Sequence, residues 1–285
     1  ISFYHKLESL YDMGGSSSAA QNPGITDPHP EHPPMPSPTL AALGLAASLL
    51  AADGLPGPTL PGPLGVQVKT HCSDAASLRA VSSAGATLIR RGFYWQGMEA
   101  VKGTYDFTAY DQLLADADAA GLRMVAVLFG NNKLHEDDGR GGIQTAEGRA
   151  GYAAWAAACA ERYAGRGLIW EIWNEPNVRT FWRKDGQHNS EEFAQEYTDL
   201  VKATVAAMRV ADPDCLVVAG SLSCFWEPSY NWTGYCFDRG MAEVGLSGWS
   251  VHPYGVKRPE DFTEGYAKIR SILSAHGAAG LPLLN

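Results

Sequence analysis

From Leu64 onward, short apolar runs alternate with longer stretches of helical periodicity, and this order constrains the fold more than any other feature. The runs that predict strands are 64–69, 87–91, 123–129, 168–173, 215–219, 248–252 and 281–284. Strands that alternate with helices form a parallel sheet, with the helices packed against its faces. The sequence therefore predicts an α/β protein with seven parallel strands.

Two of the intervening segments have a clear helical period. Tyr152, Trp155, Cys159 and Tyr163 share one helical face, and a second apolar stripe runs through 193–208. No Gly-rich phosphate-binding loop follows the first strand, which disfavours a doubly wound nucleotide-binding sheet. We therefore predict a (β/α)₈ TIM barrel that stops in or after its seventh strand, in a chain truncated at both ends.

Residues 1–63 differ in composition from the rest, because they are rich in Pro, Ser and Gly. Such a segment buries too little apolar surface to fold, so we predict a disordered N-terminal segment before a barrel domain at 64–285. Within it, residues 40–52 form an apolar run too short to span a bilayer. The run resembles a secretory signal that starts at Met35 and indicates export, although the usual positively charged part is absent.

Charge and cysteine content exclude several classes of function. The formal net charge of −9 opposes binding to nucleic acids and to anionic membranes. The five cysteines have neither C-x-x-C spacing nor a neighbouring histidine cluster, so no metal site is expected. Cys224 and Cys236 flank one predicted loop, and the sequence fits either a disulfide or two free thiols. It does not determine the oligomeric state.

The fourth strand ends in the segment with the most chemical content. Its apolar residues are followed by Asn174, Glu175 and Pro176, and the C-terminal ends of barrel strands are where active sites form. An amide beside a carboxyl suits a sugar, because the amide can bind a hydroxyl group while the carboxyl transfers a proton. The alternative is a plain turn with a surface Glu, but the alternating strands and helices around it favour a glycosidase site.

Glycoside hydrolysis normally requires two carboxyl groups, about 5 to 5.5 Å apart for retention and roughly 6.5 to 9.5 Å apart for inversion. Glu171 precedes Glu175 by four strand residues, which separates their Cα atoms by about 13 Å. The two therefore do not form the pair, and we expect Glu171 to lie deeper in the barrel, bonded to a neighbour. Glu227, after the fifth strand, is the best-placed alternative in this chain.

Three segments together resemble clan A retaining glycoside hydrolases, in particular families 39 and 5. They are Trp170–Asn177 with Phe181 and Trp182; Ile89 and Arg90 to Trp95 with Glu99, Gly103, Tyr105, Asp106, Phe107 and Asp111; and Ser250–Tyr254. The resemblance covers about Leu64 to Asn285. It implies a barrel that hydrolyses a β-linked oligo- or polysaccharide by double displacement, without a metal or an organic cofactor.

The resemblance also implies roles for the residues of the second and fourth strands. Glu175 would be the general acid/base, and Asn174 would bind the 2-hydroxyl group of the sugar. Arg90 would lie beneath the nucleophile and keep it ionised. Arg91 is the alternative if the strand is shifted by one residue, and a plain surface ion pair is the alternative to a catalytic role.

On the sixth strand, His252 and Tyr254 share one face and would orient the nucleophile. A hydrogen-bonded core histidine is the alternative for His252. In this clan the nucleophile is a Glu at the end of strand seven. Because that strand here runs to Asn285, we expect the nucleophile just beyond the chain.

Four tryptophans, Trp95, Trp182, Trp226 and Trp232, fall at predicted strand ends or loops, where their faces could stack on sugar rings or simply pack. We predict that the first three of them bind substrate, together with Asn131 after the third strand. Two other functions stay open from the sequence: a non-catalytic carbohydrate-binding barrel and an inactive fragment.

Overall fold

The computed structural model describes residues 64–136, 141–256 and 258–285. The predicted disordered segment 1–63, with its signal-like run 40–52, lies outside the described residues. Among the helices that are described, none is long and apolar enough to cross a lipid bilayer.

Seven parallel strands form one sheet, and each strand pairs with the next one along the chain. They are β1 (Gly65–Gln67), β2 (Leu88–Tyr94), β3 (Arg123–Phe129), β4 (Ile169–Ile172), β5 (Leu216–Ser223), β6 (Gly248–His252) and β7 (Leu283–Leu284). This is the strand order of a (β/α)₈ barrel, so the predicted fold is confirmed. Within the sheet, β1 and β7 are the two edges.

Helices connect successive strands on the outside of the curved sheet. They are α1 (Ala75–Ser83), α2 (Trp95–Met98), α3 (Thr108–Ala119), α4 (Ala146–Arg162), α5 (Glu191–Ala211), α6 (Glu227–Asp238) and α7 (Asp261–Ala275). Short 3₁₀ turns cover Thr70–Cys72 and Met241–Glu243. The start of α5 follows from its sequence, because the Ser190 hydroxyl accepts from the Phe193 amide and two acidic residues occupy the first turn.

The predicted apolar stripes of α4 and α5 are buried against the sheet. Two tyrosines in these stripes also bond to strand ends close to the barrel mouth. The Tyr152 hydroxyl donates to the Leu128 carbonyl oxygen at 2.6 Å. The Tyr197 hydroxyl donates to the Ile172 carbonyl oxygen at 2.9 Å and accepts from the Gly220 amide at 2.8 Å. The outer helices therefore fix the positions of β3, β4 and β5 where the site is built.

Strand β5 contains a bulge between Ala219 and Leu222. Gly220 has φ 104° and Ser221 has φ 47°, both in the left-handed region. Only glycine fits at 220, since an added Cβ would lie 2.6 Å from the Ser250 carbonyl oxygen. The sequence pattern ended this strand at Ala219, but the bulge carries it on to Ser223 and turns the Ser221 hydroxyl into the barrel.

The five cysteines behave as free thiols. Cys236 is buried in α6, whereas Cys224 is partly exposed after β5, and no disulfide joins the two. Of the two states that the sequence allowed for this pair, the structure has the free thiols.

Candidate active site

The tip of β4 has a strained backbone. Trp173 and Glu175 adopt φ values of 68° and 50°, in a region that side-chain-bearing residues rarely occupy. Each such residue costs about 1–3 kcal/mol, so its surroundings must hold it in place. The Trp173 amide bonds to the Leu128 carbonyl oxygen at 2.9 Å, and its indole donates to the Phe181 carbonyl oxygen at 2.9 Å. These contacts fix the turn that presents Asn174 and Glu175.

Asn177 anchors the segment that follows this turn. The sequence analysis does not predict this role, because nothing in the segment Trp170–Asn177 indicates the partners of its last residue. Its side chain is fully buried. The amide nitrogen donates to the Asn189 side-chain oxygen at 2.8 Å and to the Ser223 carbonyl oxygen at 3.1 Å. The amide oxygen accepts from the Ser223 amide at 3.0 Å. Asn177 therefore ties the chain after Glu175 to the end of β5.

Arg90 reaches across the barrel interior to β4. Its Nε donates to Glu171 Oε2 at 2.6 Å, Nη2 donates to Asn174 Oδ1 at 3.0 Å, and Nη1 donates to Gln67 Oε1 at 2.7 Å. Arg91 points elsewhere and donates to the Thr70 hydroxyl at 2.8 Å, so the shifted register that would put Arg91 in the site is wrong. Of the two arginines, Arg90 is the one that contacts Glu171 and Asn174.

Glu171 is buried beneath the site and bonded to its neighbours, as its strand position predicts. Besides Arg90, it accepts hydrogen bonds from the hydroxyls of Ser221 at 3.0 Å and Ser250 at 2.6 Å. Burial alone would raise the pKa of Glu171. The charges of Arg90 and His252 and the hydrogen bonds to the carboxylate outweigh burial, so this pKa lies below its usual value.

His252 contacts the predicted general acid/base directly. Its Nδ1 lies 2.9 Å from Glu175 Oε1, and its Nε2 lies 3.3 Å from the Ser221 hydroxyl. Tyr254 is exposed, with its ring centre 6.0 Å from that of His252. The part of the Tyr254 side chain that is covered loses solvation, which raises its pKa, and the charge of Glu175 raises it further. The sixth strand therefore brings both predicted residues to the site, with His252 against Glu175.

A cavity of about 200 Å³ opens beside Arg90 and Asn174. Its other lining residues are Gln67, Gly92, Tyr94, Val127, Phe129 and Phe181. Of these, Tyr94 has 46% of its surface exposed, and an added Cβ at Gly92 would lie 2.8 Å from the Tyr94 ring. Because Gly92 has no side chain, the Tyr94 ring can lie directly against it in the cavity lining.

The predicted sugar-stacking roles of Trp95 and Trp182 are corrected by their burial. Trp95 is 0% exposed and donates to Glu99, and Trp182 is 2% exposed and donates to Glu196. Neither ring can meet a sugar in this conformation. The residue before each, Tyr94 or Phe181, lines the cavity instead. Trp95 is turned outward because it begins α2, and Trp182 packs between Trp173 and Tyr197.

The cavity lining includes neither of the other predicted binding residues, Trp226 and Asn131, nor Trp232, the fourth tryptophan at a predicted strand end or loop. Trp226 is 52% exposed and borders a separate groove of about 550 Å³ with Arg179 and His188. Trp232 is buried in α6. Asn131 is half-buried after β3, where Phe129 is the residue that lines the cavity.

Glu227, the alternative second carboxylate, is not part of the site. It lies in the first turn of α6 with an exposed side chain. Its carboxylate is 3.7 Å from the Lys268 ammonium group, on the outer helices. Among the described residues, the carboxyl groups near His252 in the barrel are those of Glu175 and Glu171, at 2.9 and 3.9 Å.

Comparison with known proteins gives one family match. The sequence profile of the cellulase family (glycosyl hydrolase family 5) matches residues 57–265. No curated protein matches the chain by direct sequence comparison.

Solved structures with the same fold include several glycoside hydrolases. A family 39 enzyme from Xanthomonas axonopodis pv. citri is 21% identical, with a TM-score of 0.60 over 78% of this chain and 49% of its own. A monomeric β-xylosidase from Caulobacter crescentus CB15 is 19% identical, with a TM-score of 0.61 over 78% of this chain and 52% of its own. A family 39 glycoside hydrolase from Bacteroides cellulosilyticus WH2 is 23% identical, with a TM-score of 0.52 over 66% of this chain and 37% of its own.

This chain therefore spans about half or less of the length of these proteins. At this level of identity the likeness establishes the fold.

Proposed function

The chain belongs to the cellulase family, glycosyl hydrolase family 5, and on this basis we propose that it serves to hydrolyse a β-linked glycan. One observation carries the proposal: the strained end of β4 presents an amide and a carboxyl side by side, each held by a partner from another strand. Arg90 of β2 bonds to Asn174, and His252 of β6 contacts Glu175. Residues held by several strands are the usual way in which barrel enzymes build a site.

We assign Glu175 as the general acid/base of a retaining double displacement. The second carboxylate is a nucleophilic Glu, which we propose to lie at the tip of β7, just beyond Asn285. Glu171 does not suit that role, because it is fully buried and its carboxylate already accepts from Arg90 and two serines. An attacking carboxylate must reach the anomeric carbon of the sugar.

Asn174 is suited to bind a sugar hydroxyl group. Its side-chain oxygen accepts from Arg90, so the NH₂ group is left to donate. The cavity beside it has Tyr94, Phe129 and Phe181 in its lining, and aromatic faces of this kind pack against the C–H faces of sugars.

The experiment compares variants of the full-length protein, including whatever follows Asn285, on aryl β-glycosides. Glu175→Gln should lower kcat/KM by about 10² to 10⁴ for poor leaving groups, because proton transfer is lost, and by much less for good ones. Glu227→Gln is the matched control and should leave the rate unchanged. NMR of the first-formed product should show the β-anomer.

An inverted product would overturn the retaining mechanism. A Glu175→Gln variant with unaltered rates would show that another residue is the acid/base. Saturable binding of oligosaccharides without hydrolysis by the unaltered protein would favour a carbohydrate-binding barrel instead.

A further inference from the structure

His252 lies between two carboxyl groups that have very different surroundings. On one side Nδ1 is 2.9 Å from Glu175 Oε1, at the barrel mouth. On the other side Nε2 is 3.3 Å from the Ser221 hydroxyl and 3.9 Å from Glu171 Oε1, in the interior. The imidazole ring therefore connects the general acid/base to a buried carboxylate.

The buried carboxylate is held as an anion. Glu171 is completely enclosed, and Arg90 donates to one of its oxygens at 2.6 Å. The hydroxyls of Ser221 and Ser250 both lie within bonding distance of the other oxygen, at 3.0 and 2.6 Å. A carboxylate that accepts from a guanidinium and two hydroxyls has no need of a proton of its own.

Counting protons then fixes the tautomer of His252. The Ser221 hydroxyl has one proton, and the anionic Glu171 is both nearer to it and a stronger acceptor than a neutral imidazole nitrogen. Ser221 therefore accepts from His252, so Nε2 must carry a proton. In the neutral ring Nδ1 is then a bare acceptor that faces Glu175.

The contact between Nδ1 and Glu175 Oε1 consequently needs one shared proton. Either a neutral Glu175 donates it to the ring, or a charged ring donates it to the carboxylate. In both cases the pair holds one proton more than an anionic carboxylate beside a neutral ring. That proton is the one that a general acid must supply.

We propose that Glu171 is a positioning residue that, through Ser221, holds His252 in the Nε2–H tautomer and thereby keeps the acid proton in the Glu175–His252 pair. The proposal rests on the assignment of Glu175 as acid/base. In the first step Glu175 releases this proton to the leaving oxygen, and Nδ1 is left bare beside a carboxylate. In the second step the pair takes one proton from the attacking water, which restores the starting state.

The charged and titratable groups around the ring are consistent with this arrangement. Glu171 and Glu175 face it from β4 and its following turn, and Arg90 comes from β2 behind Glu171. The Tyr254 ring centre lies 6.0 Å from that of His252. Cys224, whose amide bonds to the His252 carbonyl oxygen, follows β5. Two carboxyl groups and one arginine therefore surround the ring at the positions that the proton count requires.

The test is ¹⁵N NMR of histidine-labelled protein, which needs no catalytic activity, with the His252 signal assigned by its loss in His252→Asn. The unaltered protein should give the Nε2–H pattern or, with a charged ring, protons on both nitrogens. Ser221→Ala removes the acceptor at Nε2, so a neutral ring should give a mixture of tautomers and a charged ring should shift toward the neutral Nδ1–H form. Ser250→Ala is the matched control, because this serine donates to the same Glu171 oxygen and, within the described part of the chain, forms no hydrogen bond with His252. The His252 tautomer should persist in this variant.

An Nδ1–H tautomer in the unaltered protein, or an unchanged pattern in Ser221→Ala, would overturn the proposal.

A second, kinetic experiment uses Glu171→Gln, which removes the negative charge that favours the proton. The alkaline limb of the kcat/KM profile should move to lower pH, because the negative charge that attracts the proton is lost. A profile that keeps its alkaline limb while only its height falls would show a purely structural role for Glu171. Failure of the Glu175 assignment would instead leave the NMR result unchanged.

Discussion

At the scale of single residues, position along the strand decides which aromatic ring meets a ligand. Arg90, Gly92 and Tyr94 alternate on β2 and all line the cavity, whereas Trp95 has left the strand and begins α2. The sequence analysis predicts that Trp95 meets the ligand, whereas the residue that lines the cavity is Tyr94, one position earlier. Tryptophan content alone does not say which way a ring points, since the change from strand to helix is set by tertiary packing.

Tyr94→Ala should therefore weaken oligosaccharide binding without unfolding the protein. Loss of one aromatic face costs about 1 kcal/mol, roughly five-fold in Kd. Trp95→Phe is the contrasting variant, because it loses the bond to Glu99 in the core and should lower the Tm with little change in affinity. Titration calorimetry and thermal unfolding measure the two effects. Equal affinity losses in both variants would refute the assignment of Tyr94 to the cavity.

Other single-residue roles were within reach of the sequence. The separation of Glu171 from Glu175 along a strand was enough to place Glu171 below the site, and the structure confirms it. The sequence pattern does not predict which residues of distant strands bond to Glu171. Ser221 and Ser250 are ordinary residues in the sequence, and they become part of the site because a bulge and a neighbouring strand bring them to Glu171.

At the scale of elements, the apolar runs predict all seven strands, but they predict the residues at which the strands begin and end less accurately. β5 is the clearest case. Gly220 and Ser221 have the composition of a turn, and the prediction stopped there, yet the strand continues because a bulge absorbs the extra residue. Local composition does not distinguish a bulge from a turn when the neighbouring strand, β6, decides the outcome.

Gly220→Ala should destabilise the protein by more than about 1 kcal/mol, because φ 104° disfavours a side chain and the new Cβ would meet the Ser250 carbonyl oxygen. It should also move Ser221 and slow catalysis. Gly234→Ala in α6 is the matched control: its Cβ meets nothing within 4 Å, and alanine favours a helix by roughly 0.8–1.0 kcal/mol. Urea unfolding should give opposite signs for the two variants. A Gly220→Ala protein as stable as the unaltered one would show that the bulge is not required.

At the scale of the whole molecule, stability is distributed unevenly across the sheet. The central strands β3 to β5 pair on both sides, while β1 and β7 each pair on one side. β1 has three residues, all exposed, and β7 has two. Fold class was readable from the sequence because strand and helix alternation extends over the whole domain, whereas the strength of each pairing depends on neighbours that are distant in sequence.

Hydrogen exchange of the 285-residue chain should reflect this gradient. Amides of Arg123–Phe129 should exchange slowest, near the rate set by global unfolding, and those of Gly65–Gln67 and Leu283–Leu284 should exchange faster by local opening. Mass spectrometry of peptic peptides measures both. Uniform protection across the sheet would mean that the edges open only together with the centre.

The anchoring of Asn177 has a consequence for the variation of this barrel. Its side chain bonds to that of Asn189, and its carbonyl oxygen accepts from the Asn189 amide at 2.8 Å, so the chain leaves and returns at one fixed point. Residues 178–188 form an excursion whose two ends are pinned together. Phe181 and Trp182 hold the first half of this segment against the site and the core, whereas residues 184–188 lie mostly at the surface. The length and sequence of 184–188 can therefore change while the turn that carries Glu175 stays in place.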